Sequence, residues 1–471
     1  MLSRLRSYLL VLIAFALVLP SLGAQEAQRA KYVFLLIGDG MGITQRHLAE
    51  QMLRHTSGDP TRKLVMNQLP VQGLTTTQSA DSAITDSAAA GTALACGVKT
   101  NNGKIGVLPN NQAVRSLAEQ AKLAGMRVGI ITSVSIDHAT PAVFYAHQGG
   151  RGSYYEIACA LPKSGFDFFG GGQALGDQRK YRVDNMSVID LAKEGGYRVV
   201  DSLADLQAAA PGTPTWAYSP VVDGAAALPN EIDRVEGAIP LAEFATQGIR
   251  LLDNPNGFFV MIEGGRIDWA CHVNDPMTAI TETLAFDHVV EIARDFQRQH
   301  PDDTLIVVTA DHETGGMTFG STFAGYTFHP EPLATQTVSY EKLASLAGRY
   351  RKQNTPFFDV SAELRELLGL GVLNQWENEL LKNALELSKM PPPDRPNDAA
   401  QLERYGKNEP LAVACLTIVS SRAGIGWGSF AHTGMPVQTS ALGVGAERFA
   451  DLYDNTELHD RIRELMGLPK P

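Results

Sequence analysis

The stretch VFLLIGDG at residues 33–40 decides the fold, because an unbroken apolar run ends there in an aspartate flanked by glycines. The same plan recurs in three later segments, VGII at 128–131, FFVMI at 258–262 and LIVV at 305–308. Apolar runs without two-residue alternation are typical of strands that are covered on both faces, as in a parallel sheet. Helical patterns lie between them, at residues 112–124 and 276–297. The sequence therefore predicts a doubly wound α/β fold with a large, mostly parallel central sheet.

Polar side chains of the metal-ligand type follow these strands. Sheets of this kind bind ligands beyond the carboxyl ends of their strands, where these side chains would meet. Asp268 and His272 are four residues apart and can face the same side of one helical turn. Mixed histidine and carboxylate ligands favour zinc, whereas all-oxygen ligands favour magnesium. The sequence predicts a metal site with the candidate ligands Asp39, Thr140, Glu263, Asp268, His272, Asp311 and His312.

A second cluster, TDSAAAGTA at residues 85–93, joins a serine to an alanine-rich stretch that favours a helix. The ordinary interpretation is that Asp86 or Ser87 caps this helix. A serine at a helix N-terminus also lies where free N–H groups favour an anion, and a metal bound to its oxygen would make it a nucleophile. Ser82 follows Asp81 in a similar dipeptide, but no alanine helix comes after it. Ser87 is therefore the candidate nucleophile.

The segment from about 322 to 428 has a different sequence pattern from the strands and helices described above. It contains helical patterns at 360–368 and 373–390, followed by the proline-rich MPPPDRP at 390–396. We expect this segment to be a helical insertion that projects from the sheet.

The first 24 residues have the plan of a secretory signal. Arg4 and Arg6 precede an apolar run at residues 8–19, which ends at Pro20 and is followed by small residues. The run is shorter than the ~20 apolar residues that a membrane span needs. We expect a protein that is exported to a periplasm or secreted, and that has no membrane attachment once the signal is cleaved.

Composition excludes one class of partner. The chain has 471 residues, with 40 Lys and Arg against 51 Asp and Glu, and a formal charge of −11. A nucleic-acid-binding protein would need a basic surface to neutralise phosphates.

The sequence has four cysteines, Cys96, Cys159, Cys271 and Cys415. They are widely spaced and form no CxxC pair, so we expect no disulfide framework.

Six motifs, taken in order, make the chain similar to the alkaline phosphatases. They are IGDGMG at 37–42, TDSAAAGTALACGVKTNNGKIGV at 85–107, HATPAVFYAH at 138–147, EGGRID at 263–268, TADHE at 309–313 and AHTG at 431–434. The resemblance implies a three-layer α/β sandwich over residues 25–471, with the helical insertion at about 322–428. It also implies hydrolysis of phosphate monoesters at two zinc ions and one magnesium ion, usually by a homodimer.

The resemblance assigns a role to each candidate residue. It makes Ser87 the nucleophile and Arg151 the residue that clamps the phosphate, which suits a bidentate guanidinium. It gives one zinc ion to Asp39, Asp311 and His312, the other to Asp268, His272 and His432, and the magnesium ion to Asp39, Thr140 and Glu263.

Two neighbouring positions depart from the best-known bacterial pattern of that family. His138 stands in place of an aspartate, and Trp269 in place of a lysine. We expect both side chains to lie next to the ligands without binding a metal directly, and to alter magnesium affinity and the water-mediated contact to phosphate.

Other functions stay open at this point. Phosphodiesterases, sulfatases and phosphomutases share the superfamily. The Cys- or Ser-x-Pro-x-Arg motif of a sulfatase is missing at Ser87, and a diesterase typically uses threonine as nucleophile and lacks an arginine like Arg151. A non-catalytic, exported protein that binds phosphate or metal would need the ligands but no nucleophile.

Overall fold

A computed structural model of the chain describes residues 29–184, 186–322 and 324–470. The predicted signal peptide, residues 1–24, lies outside the described residues. Within these ranges, we find no helix with the length and apolarity that crossing a membrane requires.

Ten of the described strands form one sheet, in the order β14-β2-β13-β8-β1-β7-β3-β4-β6-β5. Neighbouring strands run parallel except for β13, which is antiparallel to both β2 and β8. The predicted large, mostly parallel sheet is confirmed. The ten strands are β1 Tyr32–Gly38, β2 Val71–Thr76, β3 Arg127–Thr132, β4 Phe168–Gly171, β5 Arg198–Val200, β6 Thr215–Tyr218, β7 Phe258–Gly264, β8 Thr304–Thr309, β13 Val437–Gly443 and β14 Asp451–Asp454.

Two short strand pairs lie outside this sheet. They are formed by β9 Glu313–Thr314 with β12 His432–Thr433, and by β10 Thr318–Phe319 with β11 Ile425–Gly426.

Helices pack on the sheet from both sides. Those up to β8 are α1 Ile43–Ser57, α2 Ser87–Cys96, α3 Leu117–Leu123, α4 Ala139–Ala142, α5 Tyr154–Ala160, α6 Val188–Glu194, α7 Leu203–Gln207, α8 Leu241–Leu252, α9 Arg266–His272 and α10 Pro276–Gln299. The later ones are α11 Glu331–Ala334, α12 Tyr340–Gln353, α13 Phe357–Leu367, α14 Gln375–Lys389, α15 Ala399–Tyr405, α16 Pro410–Ala423 and α17 Asn455–Leu465.

Successive side chains of β1 show why the fold has three layers. Phe34 and Leu36 join the hydrophobic core on one face of the sheet, whereas Val33, Leu35 and Ile37 join the core on the other. All five are fully buried, so neither face of the strand meets water. This explains the unbroken apolar run in the sequence and confirms the three-layer α/β sandwich.

One predicted helix is shorter than its pattern suggests. The helix predicted at 112–124 begins only at Leu117, because Ser116 caps it. The Ser116 hydroxyl accepts a bond from the Glu119 N–H, and the Glu119 carboxylate accepts one from the Ser116 N–H. This capping box satisfies N–H groups that would otherwise be free, and it fixes where the helix starts.

Six helices, α11 to α16, lie between β10 and β11. The pairing of Thr318 with Gly426 brings the two ends of this segment together. Buried side chains such as Leu343, Leu381 and Leu411 join the core on the face that holds Phe34. The segment thus packs onto the sandwich as part of one core.

The strand register brings the polar side chains to one edge. Gly38 of β1 lies opposite Gly264 of β7, and Ile37 lies opposite Thr309 of β8. Because these strands are parallel and end together, Asp39 and Asp311 follow them at the same edge of the sheet.

Candidate active site

Ser87 is the first residue of α2 and is buried. Asp86 caps the helix, with its Oδ1 accepting a hydrogen bond of 2.9 Å from the Ala89 N–H. Gly91 lets the helix pass close to α4, since a Cβ atom there would lie 3.1 Å from Val143. The cap and this packing hold the Ser87 Oγ 3.2 Å from the Nε2 of His312.

The first candidate ligand group joins Asp39, Asp311 and His312, all buried. The Nε2 of His312 lies 3.4 Å from an oxygen of Asp39 and 3.3 Å from one of Asp311. The Gly40 N–H donates to Asp311 over 3.2 Å. One oxygen of Asp39 and one of Asp311 lack a hydrogen-bond partner among the described residues. Buried carboxylate oxygens need a partner, so this group can accept a cation.

The second group joins Asp268, His272 and His432. The first two lie on one turn of α9, and the pairing of β12 with β9 brings in His432. The Nδ1 of His272 lies 2.8 Å from the Phe430 carbonyl, and the Nδ1 of His432 lies 2.8 Å from the Thr85 carbonyl.

These two carbonyls determine which ring nitrogen of each imidazole carries the proton. Each Nδ1 must carry the proton that it donates, so in the neutral rings each Nε2 holds a lone pair. The two Nε2 atoms of His272 and His432 lie 3.1 Å apart. Two facing lone pairs repel unless a cation lies between them. A proton can fill this role, because, although burial opposes the shift, Asp268 raises the pKa of His272 to about 9, and a metal ion also fits this arrangement.

The third group joins Asp39 and Glu263 with His138, whose ligand atoms lie within 4.8 Å of one another. The Thr140 hydroxyl donates to Asp39 over 3.4 Å, and the Thr132 hydroxyl donates to Glu263. The Glu263 Oε1 and the His138 Nδ1 have no partner in the described structure. His138 therefore lies close enough to Asp39 and Glu263 to share a third cation with them, whereas its sequence context predicts that it binds no metal directly.

Charge at the site is unbalanced without cations. Burial, followed by the carboxylates of Asp311, Asp268 and Glu263, raises the pKa of Asp39 well above its usual value. Burial likewise raises the pKa of Glu263 to about 7 and that of Asp311 well above its usual value. Burial and the His432 ring lower the pKa of His312 well below its usual value. Bound cations would relieve these repulsions.

Arg151 lies beside this edge, with its side chain 30% exposed. Its Nη1 donates to Asp86 over 2.9 Å, and its Nη2 lies 3.3 Å from the Nε2 of His138. Its backbone N–H donates to the Gly103 carbonyl over 2.7 Å. Asp86 thus both caps the helix of Ser87 and holds the arginine next to it.

Trp269 packs between two neighbours beside the third group. Its ring centroid lies 5.7 Å from that of His138, and the guanidinium of Arg266 lies 4.9 Å from it. Arg266 is in turn paired with Asp223 at 2.5 Å. The tryptophan therefore braces the ring of His138.

Thr314 is a site residue that the sequence patterns do not single out. Its hydroxyl donates to Asp268 over 2.5 Å and lies 3.3 Å from the Nδ1 of His312, so it touches members of two ligand groups. Its place in β9, opposite His432, is the reason. The one available signal is its position directly after the TADHE motif.

Comparisons with known proteins agree on one family. The model of the family described as alkaline phosphatase matches residues 30–468. Alkaline phosphatase 4 of Bacillus subtilis is 31% identical over 455 residues, which cover 95% of this chain and 91% of that protein.

Solved structures give the same result. A cold-active alkaline phosphatase from Shewanella sp. is similar, with a TM-score of 0.78, 31% identity and coverage of 93% of this chain and 100% of that one. The alkaline phosphatase of Thermus thermophilus is similar, with a TM-score of 0.80, 26% identity and coverage of 96% of each chain.

Proposed function

Because this chain belongs to the alkaline phosphatase family and hydrolyses phosphate monoesters, we propose that it does so through a phosphoserine at Ser87, at a site for two zinc ions and one magnesium ion. The observation that carries the proposal is the contact of 3.2 Å between the Ser87 Oγ and the His312 Nε2, at the edge where three candidate ligand groups converge.

The proposed reaction has two steps, and both take place at the Ser87 Oγ. The Ser87 hydroxyl loses its proton, and its Oγ attacks phosphorus as the ester P–O bond breaks and the leaving alcohol takes up a proton. Water then attacks the phosphoserine, the P–Oγ bond breaks, and phosphate is released as Ser87 regains its proton. The helix N-terminus at Ser87 favours the negative charge that develops there.

The three ligand groups support the proposed assignment of the metals. Zinc would be held by Asp39, Asp311 and His312 and by Asp268, His272 and His432, and magnesium by Asp39, Thr140 and Glu263. Bound there, the ions would lower the pKa of the serine hydroxyl and neutralise charge on phosphate and leaving group.

Arg151 completes the site as the phosphate clamp. Its guanidinium is held beside α2 by Asp86 and can bind two phosphate oxygens at once. His138 and Trp269 would tune the magnesium position and support the arginine.

Location and assembly are part of the same proposal. The plan of residues 1–24 supports export to a periplasm or secretion, and the family resemblance supports a homodimer. The partners that we propose are small phosphate monoesters.

Turnover of phenyl phosphate and of methyl phenyl phosphate, before and after chelation, tests the proposal. We expect the monoester to be strongly preferred, with its turnover lost on chelation and restored by zinc together with magnesium. A preference for the diester would favour a phosphodiesterase. Binding of inorganic phosphate without turnover of either ester would favour a non-catalytic binding protein.

A further inference from the structure

A groove of about 810 Å³ opens beside the second ligand group. One wall comes from the chain around β10, and the other from the end of α16 and the residues that follow it. Its volume lies within the ~300–1,000 Å³ range of small-molecule sites. The groove is therefore large enough for a substrate group that extends away from the phosphate.

The groove and the second ligand group are connected through residues that contact or adjoin His272. Phe430 lines the groove, and its carbonyl accepts the Nδ1–H of His272 over 2.8 Å. Asn274, two residues after His272, also lines it. Asn408 approaches from the insertion and donates to the His272 carbonyl over 3.4 Å. The groove therefore adjoins the second ligand group on the Nδ1 side of the His272 ring.

Trp427 gives the groove a rigid, flat surface. Its indole N–H donates to the Ser420 hydroxyl over 3.1 Å, so the polar end of the ring is already satisfied. The ring lies against Gly315, where a Cβ atom would come within 2.6 Å of it. The ring is held in place and lines the groove with carbon surface. Such a surface favours the apolar face of a ring.

Hydroxyl groups surround that surface. Three serines, Ser321, Ser421 and Ser429, are among the residues that line the groove. The Ser429 Oγ accepts a bond of 2.9 Å from the Ala431 N–H, which leaves its O–H able to donate. These groups can exchange hydrogen bonds with hydroxyls of a ligand.

Charge in the groove is balanced. The charged side chains that line it in the described part of the chain are Glu403 and Arg404, which are neighbours of opposite sign. A neutral leaving group therefore suits the groove better than an anionic or cationic one.

We propose that this groove is the leaving-group subsite and that it selects phosphate monoesters of sugars, free or within a nucleoside. A sugar combines a ring with an apolar face, several hydroxyls and no charge, and each of these properties has its counterpart in the groove. The proposal rests on the proposed function, and it makes the insertion the source of substrate preference.

Two variants test it, with glucose 6-phosphate and methyl phosphate as substrates. Trp427→Leu removes the flat surface, and Thr417→Tyr narrows the groove from α16. Thr417 is half-buried and its hydroxyl donates to the Val413 carbonyl of its own helix, so its replacement breaks no described hydrogen bond between elements. If Trp427→Leu fails to fold, Thr417→Tyr decides alone. Trp376→Leu, elsewhere in the insertion, is the matched control.

For each groove variant, we expect the ratio of kcat/KM for glucose 6-phosphate to that for methyl phosphate to fall about tenfold, chiefly through KM, which corresponds to about 1.4 kcal/mol. The control should leave this ratio unchanged. Equal losses for both substrates, or no loss for either, would overturn the subsite. Failure of the proposed function is a distinct result, because it would appear in the unmodified protein, as absent monoester turnover or as absence of phosphate on Ser87, whatever the ratios in the groove variants.

Discussion

Ser87 and His312 meet at a distance of 3.2 Å, although 225 positions separate them in the chain. One begins a helix, and the other follows the end of β8, a central strand. Their contact places the N-terminus of a helix against a buried carboxylate cluster. A serine outside such surroundings is a weak nucleophile.

Replacing Ser87 by alanine should abolish turnover while leaving metal binding intact. The change removes one oxygen at the helix start, whereas the cap made by Asp86 stays in place. We expect kcat to fall by at least about 10³-fold, as is usual when a covalent nucleophile is lost. Steady-state kinetics and metal content should be measured together. Ser82→Ala is the control, because Ser82 begins no helix, and its activity should stay close to that of the unmodified protein.

Replacing His272 by alanine should lower the zinc content by about one equivalent. The second group would keep two of its three ligands, and zinc in protein sites is held by three or four. Metal analysis by mass spectrometry after dialysis measures the loss. His288→Ala provides the control, since its side chain is 60% exposed on α10. An unchanged zinc content in His272→Ala would contradict the assignment of this ligand group.

Replacing Arg151 by alanine should weaken inhibition by inorganic phosphate. Hydrogen bonds to charged groups contribute about 1.5–3 kcal/mol, so the inhibition constant should rise by roughly 10- to 100-fold. Competition against a chromogenic monoester measures it. Arg298→Ala, whose side chain is 60% exposed, should leave the inhibition constant unaltered. If both variants bind phosphate equally well, Arg151 is a structural partner of Asp86 and no clamp.

Stability should depend on pH through Glu282, a buried residue of α10. Burial raises its pKa from 4.5 to about 8, although Arg266 and the Glu231 N–H oppose the shift. A carboxyl whose pKa is raised by folding contributes stability below its unfolded pKa, and this is lost as pH rises through about 8.

Glu282→Gln removes this titration while its amide oxygen can still accept the Glu231 N–H. The difference in Tm between variant and parent should therefore rise by roughly 2 °C or more from pH 6 to pH 9. Thermal unfolding at the two pH values measures it. Glu386→Gln is the control, since its carboxylate is 66% exposed. The same difference at both pH values would contradict the prediction.

The central strands could be predicted from sequence because both of their faces are buried. In β1, every residue is buried, so the strand can be recognised from its apolar run alone, without knowing which strands pair with it. The strands near one edge of the sheet, next to β14, give no such signal. In β2, VQGLTT, residues alternate between exposed and buried positions, and Leu74 is among the exposed ones. Its partner β13 is nearly 370 residues away, and only the folded chain reveals their pairing.

The site was predictable where ligands lie within short motifs at strand ends. Asp39, Asp311 and His312 follow apolar runs directly, so local sequence exposes them. Thr314 reaches Asp268 only because β9 pairs with β12, and the contact between Arg151 and His138 depends on how two loops meet. Contacts of that kind arise from tertiary packing, and they leave no periodic pattern in the chain.

Trapping labelled phosphate on the protein at acidic pH tests the central claim most directly. The protein with zinc and magnesium bound is incubated with radiolabelled phosphate at acidic pH, then denatured in acid, digested and mapped by mass spectrometry. We predict one labelled peptide with phosphate on Ser87, and no label in Ser87→Ala. A protein that hydrolyses monoesters but carries its phosphate on another residue, or on none, would contradict the account.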